Sequence, residues 1–277
     1  MSAVERGEAM GLRSVHSVAR HMKNRTQFGR ISVVVWAVLV TAMPSAFAQA
    51  PQIHSQNSAQ AIPIVLGFVG GFVKDDDNRH PEVQIIHRLS EQRLPPIHAA
   101  AFENRRTAKA LEQILQWLDT DGDGRLSAKE KKNARIILFG HSWGGSAVIS
   151  LAEVLAKQDI PVLLTIQVDS INKGWGHDCM IPPNVAPATL FYQSRGILHG
   201  CRPIRAEDPN QTQITGMYEV EYAKQPAECN SYPWFDRHFF STHNAMGCDP
   251  HVWSQVEDEI RAQLRIDVPA QEAQVRR

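Results

Sequence analysis

The sequence predicts an α/β domain, a mainly parallel sheet with helices on both faces. Apolar runs with no polar alternation, such as 62–66 and 136–139, have the pattern of strands buried on both sides. Other stretches place apolar residues at helical spacing. The two kinds of segment alternate along the chain, as a parallel sheet with crossover helices requires.

Taken in order, the polar residues 49–61 read as a linker, and the domain spans 62–277. The first strand, 62–66, stops at Gly67. A helix over 81–94 follows, with Val83, Ile86 and Leu89 on one face, and then a short strand over 97–102. Residues 106–118 form a second helix, whose Ala110, Leu111, Ile114, Leu115 and Leu118 make one buried stripe. Strand 136–139, helix 147–155 and strands 162–168 and 188–192 come next. In 214–222, Tyr218, Val220 and Tyr222 alternate with Glu219 and Glu221, which places this last strand near an edge. A final helix opens at Asp249-Pro250 and buries Val252, Trp253, Val256 and Ile260.

The first 48 residues read as a secretory signal peptide rather than as part of the fold. Arg20, Lys23, Arg25 and Arg30 precede the uncharged stretch 31–43, and Ala46 and Ala48 fit a peptidase that would cut before Gln49. An uncleaved anchor is the alternative, but about 13 apolar residues fall short of the roughly 20 that span a bilayer. The leader is long, and Met10 or Met22 could be the true start. Lys and Arg together number 29, as do Asp and Glu. A net charge of zero gives no field suited to nucleic acid or an anionic membrane, so neither is expected as a partner, nor is stable membrane insertion once the leader is cut.

Export changes how the four cysteines are read, since Cys179, Cys201, Cys229 and Cys248 would all reach an oxidising compartment. Three pairings are open, of which Cys179 with Cys201 and Cys229 with Cys248 closes the shortest loops. Zinc is disfavoured because no Cys-x-x-Cys pair occurs.

The chemistry begins at Gly140-His141-Ser142-Trp143-Gly144, between a buried strand and a helix start. A serine at so sharp a turn needs small neighbours, and Gly140, Gly144 and Gly145 supply them. On this elbow and the surrounding order of strands and helices, the chain over 62–264 resembles the α/β-hydrolase superfamily. The resemblance implies the α/β-hydrolase fold and a serine hydrolase with a Ser-Asp-His triad in that chain order. Ser142 would be the nucleophile. His243, in Ser241-Thr242-His243-Asn244, would be its base on a loop facing the elbow, with His238 and His251 as rivals. Asp169, at the end of the strand after the elbow's strand, would be the acid, although many members place it one strand later, at Glu207 or Asp208. Backbone amides of Trp143 and, by position, Phe68 would form the oxyanion hole, with Val69 as the alternative to Phe68.

A second motif, residues 119–130, resembles the EF-hand calcium loop at each diagnostic position. Asp119, Asp121 and Asp123 offer carboxylates, Arg125 a backbone carbonyl, Ser127 a direct or water-mediated ligand and Glu130 a bidentate carboxylate, while Gly124 permits the bend. The exiting helix can hardly pass Ala134, and no second loop pairs with this one, so a structural Ca2+ clip is expected rather than a switch. The whole reads as a secreted or periplasmic serine hydrolase that cleaves small-molecule or lipid acyl esters through an acyl-enzyme. A thioesterase or peptidase of the same fold, or a non-catalytic calcium-binding surface protein, is the alternative reading.

Overall fold

In the computed structural model, β1 (Ile64–Val69) lies second from one edge of a six-stranded sheet, and every one of its residues is buried. The structure describes residues 61–91, 96–172, 174, 178–195, 197–198, 200–222, 229 and 241–265, all within one compact unit, 56–277. The leader, the proposed cleavage site and most of the linker lie outside these residues.

The remaining strands are β2 (His98–Glu103), β3 (Ile136–His141), β4 (Leu164–Val168), β5 (Met180–Ile181), β6 (Pro187–Tyr192), β7 (Arg205–Ala206) and β8 (Gln213–Glu219). The main sheet runs β2-β1-β3-β4-β6-β8 with every pairing parallel. The helices are α1 (Pro81–Ser90), α2 (Thr107–Leu118), α3 (Ala128–Lys132), α4 (Trp143–Ala156), α5 (Ser241–Cys248) and α6 (Pro250–Arg265).

Side chains of a strand point alternately to opposite faces, and here both faces carry apolar residues, which is why the strands read as unbroken runs. Ile64, Leu66, Phe68, Ile136 and Leu138 join α2 and α4 in one core, built from Ala110, Ile114, Val148 and Leu155. Val65, Ile137, Phe139, Ile166 and Val168 face the other way, toward Ile85, Ile86 and Leu89 of α1 and Val252, Trp253, Val256 and Ile260 of α6. The expected α/β class, parallel sheet and two helical layers are therefore all present. β8 closes the sheet at one end and exposes most of its length, as its alternating pattern foretold.

Several boundaries differ from expectation. β1 continues through Gly67 to Val69, and the glycine serves packing rather than a strand end: a Cβ there would stand 2.8 Å from the Phe139 ring. α4 begins immediately after Ser142, as the sharp strand-to-helix turn requires, and so starts ahead of the expected 147. β5 and β7, two residues each, form a separate parallel pair that no periodicity could signal. Residues 241–248, expected as a loop, are helix α5.

Candidate active site

The elbow is a one-residue junction. β3 ends at His141, α4 starts at Trp143, and Ser142 between them has φ 58° and ψ −125°. A non-glycine residue at such φ is strained by its own Cβ, so the surroundings must hold it there. They do so from both sides: Ser142 N–H donates to Val168 O at 3.0 Å, and Ser142 O accepts from Gly145 N at 3.0 Å and Ile171 N at 3.1 Å. A Cβ on Gly144 would stand 2.0 Å from Phe68 O, so only glycine lets α4 start this close to β1.

Three side chains from distant parts of the chain meet at this turn. His243 Nε2 lies 2.9 Å from Ser142 Oγ, and His243 Nδ1 lies 2.7 Å from Asp169 Oδ2. A carboxylate only accepts, so the proton sits on Nδ1 and Nε2 is left to accept from the serine hydroxyl. Asp169 and His243 are buried at 0% and 4% exposure, and Ser142 at 8%, so little solvent competes for these bonds. Asp169 follows β4 at φ 41°, its N–H bound to Phe191 O at 2.8 Å. Its carboxylate also accepts from Gln193 Nε2 at 3.0 Å and from Gly200 N at 2.8 Å. Gln193 and Gly200 escaped the sequence reading, since neither belongs to a local motif. Only the fold brings the segment after β6 over the end of β4.

The other candidates fall elsewhere. Asp208 is half-buried and accepts from Asn210 and Gln211. Glu207 bonds Ile181 through its main chain, beside the β5–β7 pair. His251 is exposed in the first turn of α6. His238 lies outside the described residues. Trp143 is the first residue of α4. Phe68, in contrast, is internal to β1, in register with Phe102 on one side and Gly140 on the other. Beyond the strand the turn at Gly70 lies against the serine: a Cβ at Gly70 would lie 3.0 Å from Ser142 Cβ. From this turn the Phe72 ring, 80% exposed, meets Trp143 edge-on at 5.5 Å.

Behind the serine lies a second cluster. His141 stacks on His243, with ring centroids 4.6 Å apart. Loss of solvent, with the neighbouring His243 charge a smaller cause, pushes His141 well below the ordinary histidine range. Burial pushes His80 down to about 4 despite nearby Asp77, and pushes Glu82 up to about 8. Neither Glu82 oxygen has a hydrogen-bond partner among the described residues, although the amides of Glu82 and His141 weakly oppose the upward shift.

Both nearest-neighbour disulfides are present, Cys179–Cys201 and Cys229–Cys248. The first abuts Gly200, which binds Asp169, and the second ends α5, which carries His243.

In the 119–130 loop, carboxylate oxygens of Asp119, Asp121 and Asp123 come within 4.8 Å of one another, a convergence that fits a hard divalent cation. Gly122 and Gly124 take φ of 73° and 77°, and Asp119 accepts from both of their amides at 2.9 Å. Glu130 instead accepts from the main-chain N–H of Thr120 at 2.7 Å and of Ser127 at 2.9 Å, and forms a capping box with Ser127 at the start of α3. These bonds hold its carboxyl down to about 2.

No family model and no curated protein matches the sequence. Among solved structures, a protein of the alpha/beta hydrolase superfamily from Xanthomonas campestris pv. campestris is 10% identical, with 67% of this chain and 96% of that one covered at a TM-score of 0.32. Human thioesterase 2 is 9% identical, covering 74% and 97% at 0.37. The RedJ thioesterase of Streptomyces coelicolor is 10% identical, covering 74% and 100% at 0.35. At such identities and TM-scores, no conclusion about fold or function is taken from the likeness.

Proposed function

We propose that this chain is an exported serine hydrolase that cleaves carboxylic esters through an acyl-enzyme. The observation that supports this reading is the buried chain of contacts from Ser142 through His243 to Asp169, at 2.9 and 2.7 Å, on a serine held at positive φ. As Ser142 Oγ attacks the ester carbonyl, its proton passes to His243 Nε2. Asp169 keeps His243 in the right tautomer and stabilises the imidazolium. Returning that proton to the departing alkoxide releases the alcohol. Water, activated by the same histidine, then frees the acyl group. The Trp143 amide and one from the turn after β1 would hold the oxyanion.

The same reading places a structural Ca2+ in the 119–130 loop, held by Asp119, Asp121, Asp123, the Arg125 carbonyl, Ser127 and Glu130. When bound, the ion would supply charge neutralisation and cross-linking rather than any group for the chemistry. Export is supported by the leader and by two disulfides; no described helix is long and apolar enough to cross a membrane.

A fluorophosphonate probe tests the reading directly. Labelling of wild type that disappears in Ser142→Ala is expected, and folded wild-type protein that resists the probe would overturn it. A panel of acyl esters of increasing chain length, run beside thioesters and peptides, then separates ester cleavage from the two related activities.

A further inference from the structure

His141 lies next to the proposed nucleophile, yet the triad chemistry gives it no task. Its ring faces the His243 ring at 4.6 Å with 26° between the planes. Its Nε2 lies 3.3 Å from the His243 main-chain oxygen. A carbonyl only accepts, so Nε2 carries the proton and donates. The ring also fits closely into α5: a Cβ at Gly247 would stand 2.8 Å from His141 Cε1 and 3.2 Å from Nε2. One side chain thus touches the helix bearing His243 in three ways, by face, by hydrogen bond and by close packing.

We propose that His141 is a positioning residue for His243, tethering its main chain to the elbow strand and backing its ring with an aromatic face. The assignment rests on the serine-hydrolase reading, since its value lies in what His243 becomes during turnover. When His243 takes the serine proton it turns cationic, and the face of a neutral imidazole is a better neighbour for a cation than an apolar wall or a second charge. Partial burial against α5 favours that neutral form of His141. The titratable groups around it are His243 on α5, His80 just before α1 and Glu82 in the first turn of α1, with Asp169 on the far side of His243. The tether fixes the Nε2 to Oγ geometry, where displacement by about 1 Å can cost on the order of a hundredfold in rate.

Two replacements separate the parts. His141→Phe keeps an aromatic face and removes the donor, whereas His141→Gln keeps an N–H at similar reach and removes the face. Gly247→Ala leaves His141 intact and pushes a methyl into its ring, so the proposal stays testable if a His141 variant fails to fold. Rates are measured from pH 5 to 9 on an activated ester and counted per serine labelled by fluorophosphonate, with melting curves alongside.

The expected result is that kcat falls about tenfold or more in the Phe and Ala variants while KM stays nearly constant, since only transition-state geometry is disturbed. In the Gln variant kcat should recover toward wild type, and the acid limb of kcat/KM should move to lower pH because the imidazolium has lost its backing. Folded variants with wild-type kcat and an unmoved limb, or with losses confined to KM, would overturn the assignment to His141. Failure of wild type itself to label or turn over would instead remove the serine-hydrolase reading.

Discussion

Ser142 combines two roles that substitution can pull apart, since its hydroxyl bears on reactivity and its backbone on strain. Ser142→Ala is expected to lower turnover by several powers of ten with little change in melting temperature. Ser142→Gly should be equally inactive but more stable by about 1 kcal/mol, because glycine tolerates φ 58° without the Cβ clash. Thermal melts of the two variants check the difference, and equal melting temperatures would show that the elbow is not strained. Glu82 gives a prediction in pH. Its carboxyl titrates near 8 in the native state against 4.5 normally, so the native state holds a proton that the unfolded chain has released between those values. Stability contributed by this group is full below 4.5 and is lost as pH rises to 8. Glu82→Gln does not titrate, and its stability relative to wild type should climb across that window by on the order of a few kcal/mol. Chemical denaturation at pH 5 and pH 8 measures it. At this scale the sequence was legible where a residue sits in a motif, as Ser142 does, or ends a strand, as Asp169 does; His243 came through the chain order that the family resemblance implies. The sequence was silent on Gln193, Gly200 and His141, whose roles arise only from crossings between segments remote along the chain.

Among the elements, α5 was the hardest to foresee. Ser241-Thr242-His243-Asn244-Ala245-Met246-Gly247-Cys248 has no clear apolar stripe and includes a glycine, so nothing in its pattern favours helix over loop. Tertiary contacts decide it: Met246 and Ala245 are fully buried, and Trp253 Nε1 donates to Met246 O and Gly247 O at 3.1 Å. The disulfides act on the same elements. Cys179–Cys201 holds the segment whose Gly200 amide grips Asp169, while Cys229–Cys248 pins the end of α5. Mild reduction should therefore lower kcat at temperatures where far-UV circular dichroism is still native. Loss of either bond should also cost about 3 kcal/mol by loop entropy, for loops of 22 and 19 residues. Activity that survives complete reduction would show that neither element depends on its bond. The 119–130 loop joins α2 to α3 a few residues before β3. If it holds Ca2+, chelation should lower the melting temperature, and a hundredfold excess of free ion over Kd should stabilise by roughly 2.7 kcal/mol. Glu130→Gln should remove most of that dependence. Melting curves with calcium and with chelator decide it, and indifference to both would leave the loop an acidic turn.

For the whole molecule, the alternation of segments was enough to predict the layers, because a strand buried on both faces and a helix with one apolar stripe have few ways to pack. Strand order was not readable, and neither was the small β5–β7 pair. Both depend on which loops close over which edges. The arrangement gathers the site at the carboxyl ends of β3 and β4, the usual place for function in a parallel sheet. Ser142 and Asp169 arrive there on adjacent strands, whereas His243 comes from 101 residues beyond the serine.

That every pairing of the main sheet is parallel bears on how the chain reaches its native state. No strand pair in it can zip from a tight hairpin, so each contact waits on closure of a long crossover, and formation of the sheet should be slow. The proposed base, His243, sits on α5, which follows every described strand along the chain, and it can engage the serine only after β3, β4 and their helices have come together. On the serine-hydrolase reading, a half-folded chain would have Ser142 without a proton acceptor and would be inert toward esters it met along the way. In a refolding experiment from denaturant with the disulfides intact, hydrolytic activity should recover measurably later than the helical signal. Simultaneous recovery of the two would mean that the base docks as early as the sheet itself.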